Sequence, residues 1–135
     1  MSNSDNSSTV LVVEDDASVR DLALKMLHLA GFTTLEAIDA KSGLEKFKQH
    51  AEIDLVFTDV IMPGGVSGIE MAREILSIKP HTPLLIVTGY LEKGAALREQ
   101  AEKFENISTI EKPYDVKEVP LLISSMIAAS KMRLN

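Results

Sequence analysis

The chain contains no cysteine, so it has no disulfide framework and no thiolate zinc site. That absence suits a reducing compartment such as the cytosol. No apolar run is long enough to cross a bilayer. The N-terminal stretch ending near Thr9 lacks both a basic and an apolar segment, which excludes a secretory signal; Ser- and Asn-rich, it reads as a short disordered lead-in. Basic clusters are missing too. With 14 Lys and Arg against 20 Asp and Glu, the formal charge is -6. Phosphate contacts dominate nucleic-acid affinity, so a domain this acidic is a poor partner for DNA or RNA by itself. No repeat or low-complexity linker divides the 135 residues, and 45% hydrophobic content suffices for one core. The expectation is one domain over residues 9–131, with a lead-in at 1–8 and a tail at 132–135, in a cytoplasmic protein with no membrane contact.

What is present is an alternation of periods. Val10-Leu11-Val12-Val13, Leu55-Val56-Phe57-Thr58 and Leu84-Leu85-Ile86-Val87 are apolar runs too short for helices and rich in β-branched residues. Thr33 to Ala37 and Ile107 to Ile110 are more polar strands. Between them run helical patterns. Val19, Leu22, Ala23, Met26, Leu27 and Ala30 fall on one face of the first. Gly31 stands where a helix end favours positive φ. Asp39 is a plausible N-cap for a second helix around Leu44 and Phe47. A third carries Ile69, Ala72 and Leu76, a fourth runs from Leu91 to Phe104, and a last from roughly Val116 to Met132. Strands alternating with helices imply βαβ units and a parallel sheet covered on both faces. The uninterrupted strands belong in the centre and the polar ones at the edges. With right-handed crossovers this predicts a doubly wound, flavodoxin-like α/β fold with strand order 2-1-3-4-5.

In such a sheet the C-terminal strand ends form one rim, where ligands bind. Glu14 and Asp15 follow the first strand, Asp59 the third, Thr88 ends the fourth, and Lys112-Pro113 follow the fifth. Taken singly each has a bland reading: a helix start, a turn residue, a strand end. Together on one rim they make a site. Two carboxylates about 4–5 Å apart repel by roughly 3–4 kcal/mol at an effective dielectric near 20. Three call for a proton or a cation. Oxygen ligands without His or Cys favour a hard ion, and Mg2+ suits a few carboxylates plus waters and a phosphate. A carboxylate beside Mg2+ can attack a phosphoryl group. Lys112 would neutralise phosphoryl oxygens and the Thr88 hydroxyl would donate to them.

The string Val12-Val13-Glu14-Asp15-Asp16, the segment Leu55 to Gly64, the step Val87-Thr88-Gly89 and Lys112-Pro113-Tyr114 together resemble the response-regulator receiver family, of the chemotaxis-regulator-like kind. The likeness runs from about Val10 to Ala129. It implies that Asp59 is the phosphoacceptor in two-component signalling, fed by a histidine kinase or phosphotransfer protein. It further implies that Asp15 binds Mg2+ directly, that Glu14 is its acidic neighbour, and that the backbone carbonyl of Ile61 is a third ligand. Thr88 resembles the switch hydroxyl and Lys112 the site lysine, which usually precedes a cis peptide. Gly89 leaves room beside the phosphoryl group, and Ile61 and Tyr90 would flank the hydrolytic water. Such a module assists its own phosphorylation and dephosphorylation without turning over external substrates. An effector or a second copy would dock on the face of the fourth helix, fifth strand and fifth helix.

Four features depart from the pattern. Glu14 stands where aspartate is more frequent. The loop Pro63 to Gly68 is one residue longer than usual, as in receivers attached to hybrid kinases. Thr109 stands where an aromatic usually follows the switch threonine inward, so the readout is expected to differ. Pro120 suggests a late start or a kink in the last helix, whose stretch from Pro120 to Ala129 carries no charge. Two other functions compete. An aspartyl-phosphate phosphatase would need a carboxylate two residues past Asp59, where Ile61 stands. A pseudo-receiver used only for contacts would not need Asp59, Thr88 and Lys112 intact. His28, His50 and His81 have no ligand partners at metal spacing and read as surface residues.

Overall fold

Every apolar run becomes a strand. The computed structural model describes residues 8–60, 68–88 and 106–134, with side chains as far as 132. Five strands, β1 Thr9–Val13, β2 Thr33–Ala37, β3 Ile53–Asp59, β4 Leu84–Thr88 and β5 Ile107–Glu111, form one parallel sheet in the order β2-β1-β3-β4-β5. The helices among the described residues are α1 Ala17–Leu29, α2 Ala40–Gln49, α3 Gly68–Ile78 and, at the C-terminus, α4 Glu118–Leu134. The fourth helix expected from the sequence, Leu91 to Phe104, lies outside the described residues. Among the described residues, no helix is long and apolar enough to cross a membrane.

Successive side chains of a strand point to opposite faces, so each central strand feeds two cores. On one face Leu11, Val13, Val56, Leu84 and Ile86 pack with Phe47 of α2 and Met71, Ala72 and Ile75 of α3. On the other, Val10, Val12, Leu55, Phe57, Leu85 and Val87 meet Ala23, Met26 and Leu27 of α1 and Val119, Ile123 and Ile127 of α4. β1 and β4 are buried throughout, whereas β2 and β5 are largely half-buried or exposed, as edge strands are.

The helix boundaries have local causes. Asp16 caps α1 by accepting from the N–H groups of Ser18 and Val19, and Gly31 follows that helix with φ 96°. Asp39 and Ser42 form a capping box on α2. α4 begins two residues after the expected start at Val116. The Asp115 carboxylate accepts from Lys117 N, and its carbonyl accepts from Glu118 N and Val119 N, which delays the first turn. Pro120 therefore falls in that first turn, where a missing N–H leaves no helical bond unmade. Leu22 does not join the core as its periodicity suggested. It is 66% exposed, because the face of α1 that reaches the sheet is narrow and centred on Ala23, Met26 and Leu27.

Candidate functional site

The C-terminal ends of the strands converge as expected. β1 pairs with β3 in a register that matches Val13 to Thr58, so the residues that follow them, Glu14 and Asp59, are rim neighbours. Carboxylate oxygens of Glu14, Asp15 and Asp59 all lie within 4.8 Å of one another. Lys112 comes from the end of β5, and its Nζ stands 3.4 Å from Asp59 Oδ2. Asp59 Oδ1 accepts from its neighbour's N–H, that of Val60, at 3.1 Å. The Lys112–Pro113 peptide is cis, as the resemblance implied.

The three carboxylates differ in environment. Asp15 is exposed, Asp59 partly buried and Glu14 buried, at 7% accessible. Burial pushes the Glu14 carboxyl up to about 7. The N–H of Asp16, donated to Glu14 Oε2 at 3.0 Å, opposes the rise. The negative charge of Asp59 and the carboxyl of Asp15 add to it, and Lys112 lowers it. So the acidic rim avoids part of its mutual repulsion by favouring a proton on Glu14. The same donor set, all hard oxygens in a small volume, fits a divalent cation such as Mg2+ that would take the place of that proton.

Thr88, the buried last residue of β4, lies one step past Val87, which pairs with Asp59. Its hydroxyl donates to the Ile110 carbonyl at 3.3 Å, and its own carbonyl accepts from Lys112 N at 2.9 Å. Glu14, Asp15, Asp59 and Lys112 are thus brought together, while the Thr88 hydroxyl is engaged with β5. Ile61, Gly89 and Tyr90 lie outside the described residues. Thr109 sits in β5 opposite Ile86, half-buried, with a small side chain where an aromatic was the expectation from resemblance.

Two residues at the site went unassigned in the sequence. Arg20 donates from one guanidinium nitrogen to the Glu14 carbonyl at 3.0 Å and from Nε to Glu36 at 3.1 Å, tying the β1–α1 turn to β2. Tyr114 lines the small cavity beneath Glu14, Asp59 and Lys112, and its ring meets Phe57 edge to face at 5.9 Å. Burial raises its phenol pKa, and the charges of Glu14 and Asp59 add to the rise while Lys112 opposes it. The motif that contains Tyr114 was visible; the spatial pairing with Phe57, far away in sequence, was not.

Comparison with known proteins gives a consistent result. The sensor kinase CckA of Brucella abortus is 30% identical over 122 residues, covering 90% of this chain and 13% of that protein. The transcriptional regulatory protein FixJ of Bradyrhizobium diazoefficiens is 30% identical over 118 residues, covering 87% of this chain and 56% of that protein. The chain therefore spans only part of these curated relatives. Among solved structures, a response regulator receiver domain protein from Clostridium thermocellum superimposes with a TM-score of 0.83 at 27% identity, covering 93% of this chain and 98% of that one. The model of the response regulator receiver domain matches residues 10–124, a span that holds the acidic rim and, apart from Thr9 of β1, all five strands. By its strand order and by these matches, the chain belongs to the response regulator receiver family of two-component systems.

Proposed function

We propose that this chain, with residues 9–131 as its working module, is a phosphorylation switch acting in the cytoplasm. It accepts one phosphoryl group on Asp59 from a histidine kinase or phosphotransfer protein in the presence of Mg2+. The observation that carries the reading is the placement of Lys112 Nζ 3.4 Å from Asp59, within a cluster whose carboxylates lie inside 4.8 Å. Glu14, Asp15, Asp59 and the carbonyl of Ile61 would hold the ion, which when bound would neutralise charge on the transferring group. Asp59 Oδ2 is the attacking atom: it forms the new O–P bond as the donor's leaving oxygen departs with the old one. Lys112 then pairs with the phosphoryl oxygens, and Thr88 would exchange its bond to Ile110 for one to the same group. The module assists this transfer and its reversal by hydrolysis without turning over other substrates.

The test is incubation with acetyl phosphate and Mg2+, read by intact mass. Wild type should gain one phosphoryl group, and Asp59→Asn or removal of Mg2+ with a chelator should prevent it. No adduct on wild type would overturn the reading. A second reading is favoured by the CckA match, in which the similar segment occupies 13% of a larger kinase: the same module would then exchange phosphoryl groups with other parts of a longer protein.

A further inference from the structure

Glu14 is fastened to β2 through both ends of its main chain. Its N–H donates to the carbonyl of Ala37, the last residue of β2, at 3.0 Å. Its carbonyl accepts from a terminal guanidinium nitrogen of Arg20 at 3.0 Å, and Arg20 Nε reaches Glu36, the neighbour of Ala37, at 3.1 Å. Arg20 stands in the first turn of α1 with 15% of its side chain accessible, against 55% for Glu36. An ion pair with one member so exposed adds little stability of its own. Its geometry matters more. Nε and the terminal nitrogen belong to one rigid plane, so fixing the first on Glu36 aims the second at Glu14.

Asp15 is exposed, so its carboxylate is placed chiefly by the two peptide groups that flank it. The peptide before it carries the carbonyl that Arg20 holds. The peptide after it carries the Asp16 N–H, which donates to Glu14 Oε2 at 3.0 Å. That second hold uses a carboxylate oxygen of the acidic rim, so a cation drawn to Glu14 competes with it. The Arg20 hold uses a main-chain oxygen and has no such competitor. We propose that Arg20 is a positioning residue that makes the rim select Mg2+ over Ca2+, by keeping the turn Glu14-Asp15-Asp16 in place while an ion is bound. The inference rests on the Mg2+ reading above and adds to it a residue that acts through Glu14 and Asp15. Mg2+ demands near-ideal octahedral geometry with short bonds, whereas Ca2+ takes longer bonds and more ligands in irregular shells. A turn held in one place cannot spread to suit the larger ion. A loosened turn can, and it gives up the precision that the smaller ion needs.

The test uses the full chain, 15N-labelled, with the amide shifts of Glu14, Asp15 and Asp59 followed by NMR in separate Mg2+ and Ca2+ titrations. The titrations are run at pH 8, above the value of about 7 to which the Glu14 carboxyl is raised, so that no proton competes with the ion. Loss of a partner that orients metal ligands costs about tenfold in affinity, so Arg20→Met should raise the Mg2+ Kd about tenfold. The Ca2+ Kd should rise by about twofold at most, so the preference for Mg2+ falls about fivefold. Arg20→Lys keeps the charge but offers one nitrogen where two are needed, and should lose the preference as well. Glu36→Gln keeps an oxygen for Nε and should retain it. Circular dichroism checks each fold, and Arg20→Lys carries the comparison if Arg20→Met does not fold. Equal weakening of both ions in Arg20→Met, a wild-type preference in Arg20→Lys, or a lost preference in Glu36→Gln would overturn the proposal. Wild-type amides unmoved by Mg2+ would instead remove the metal reading, and this inference with it.

Discussion

Gly68→Ala is expected to destabilise the protein and impair the site together. Gly68 is the first residue of α3, and its N–H donates to the Val60 carbonyl at 2.8 Å. A Cβ built at this position lies 2.4 Å from the Asp59 carbonyl oxygen and 3.1 Å from Val60 Cα. Ordinary contact is about 3.5 Å, so one side must retreat by roughly 1 Å. Neither side yields freely. Asp59 is paired with Val87 at the end of β3, and the next N–H, Val60, donates to the Val87 carbonyl at 3.1 Å. Overpacking of this kind costs about 1–3 kcal/mol, and a weakened Gly68–Val60 hydrogen bond adds about 1. The better helix propensity of Ala returns at most about 1 kcal/mol. The net loss is about 2 kcal/mol, or roughly 8 °C in Tm for a domain of this size. Urea unfolding followed by circular dichroism measures the first figure, and a thermal scan the second. Because the displaced atom belongs to Asp59 itself, labelling by acetyl phosphate should slow as well. Gly43→Ala is the control: its Cβ meets Met71 Sδ and a Val13 methyl, each at 3.0 Å, on the side of the sheet occupied by α2 and α3. There the flexible Met can yield and the helix gain offsets the crowding, so stability should stay within about 1 kcal/mol and labelling should be unaffected. A Gly68→Ala protein within about 0.5 kcal/mol of wild type that labels at the wild-type rate would refute the steric argument.

Other perturbations address charge and capping. Asp15→Asn should raise the Tm of the metal-free protein by relieving repulsion in the cluster, and should abolish the Tm increase that wild type shows on adding Mg2+; an ion at 100 times its Kd is worth about 2.7 kcal/mol, so the wild-type increase is easily measured. Glu14 has a folded pKa raised to about 7, so between about pH 4.5 and 7 the folded state binds the extra proton and metal-free stability should fall as pH rises through that window. Glu14→Gln should flatten this slope, and an unchanged slope in urea titrations across the window would argue against a buried, protonated Glu14. Asp39→Ala should cost about 1 kcal/mol at pH 7 through loss of the α2 cap. The Asp39 carboxyl is held below its ordinary value by the N–H and hydroxyl of Ser42, so its contribution is present above about pH 4 and lost as pH falls further. The gap between variant and wild type should therefore narrow at pH 3.

The parts of the fold that were legible in sequence are those governed by local pattern. β1, β3 and β4 announce themselves because strands buried on both faces must be apolar at every position. Their order then puts Glu14, Asp15, Asp59, Thr88 and Lys112 on one rim. What local pattern could not show depends on partners distant in sequence. β3 begins at Ile53 and includes Asp54, a charge that breaks the apolar run; the structure accommodates it by letting Asp54 accept from Thr9 N at 2.8 Å, across 45 residues. Leu22 fits the period of α1 but falls outside the face that meets the sheet. Arg20 is a single cation in a helical pattern until its two acceptors, the Glu14 carbonyl and Glu36, are placed beside it. The engagement of Thr88 with Ile110 is a matter of hydroxyl orientation, which no spacing encodes.

These same bonds suggest why a signal from Asp59 would travel toward β5. Glu14 and Asp15 follow β1 and Asp59 ends β3, and both are interior strands bonded to neighbours on both sides. Moving those carboxylates would disturb two ladders and two cores at once. Lys112 follows β5, which among the described residues pairs only with β4 and is half-buried over most of its length. Thr88 ends β4, but its hydroxyl and carbonyl are both bonded into β5 and the turn beyond it. A charge added at Asp59 would attract Lys112 and the Thr88 hydroxyl, and the cheaper response would be for the β5 side to move. An aromatic at residue 109 would be one way to display that movement. With threonine there, the large side chain close beyond β5 is Tyr114, packed edge to face against Phe57 at the rim. On this reasoning the position of β5 at the sheet's edge, more than the identity of any one side chain, would set the direction of the response.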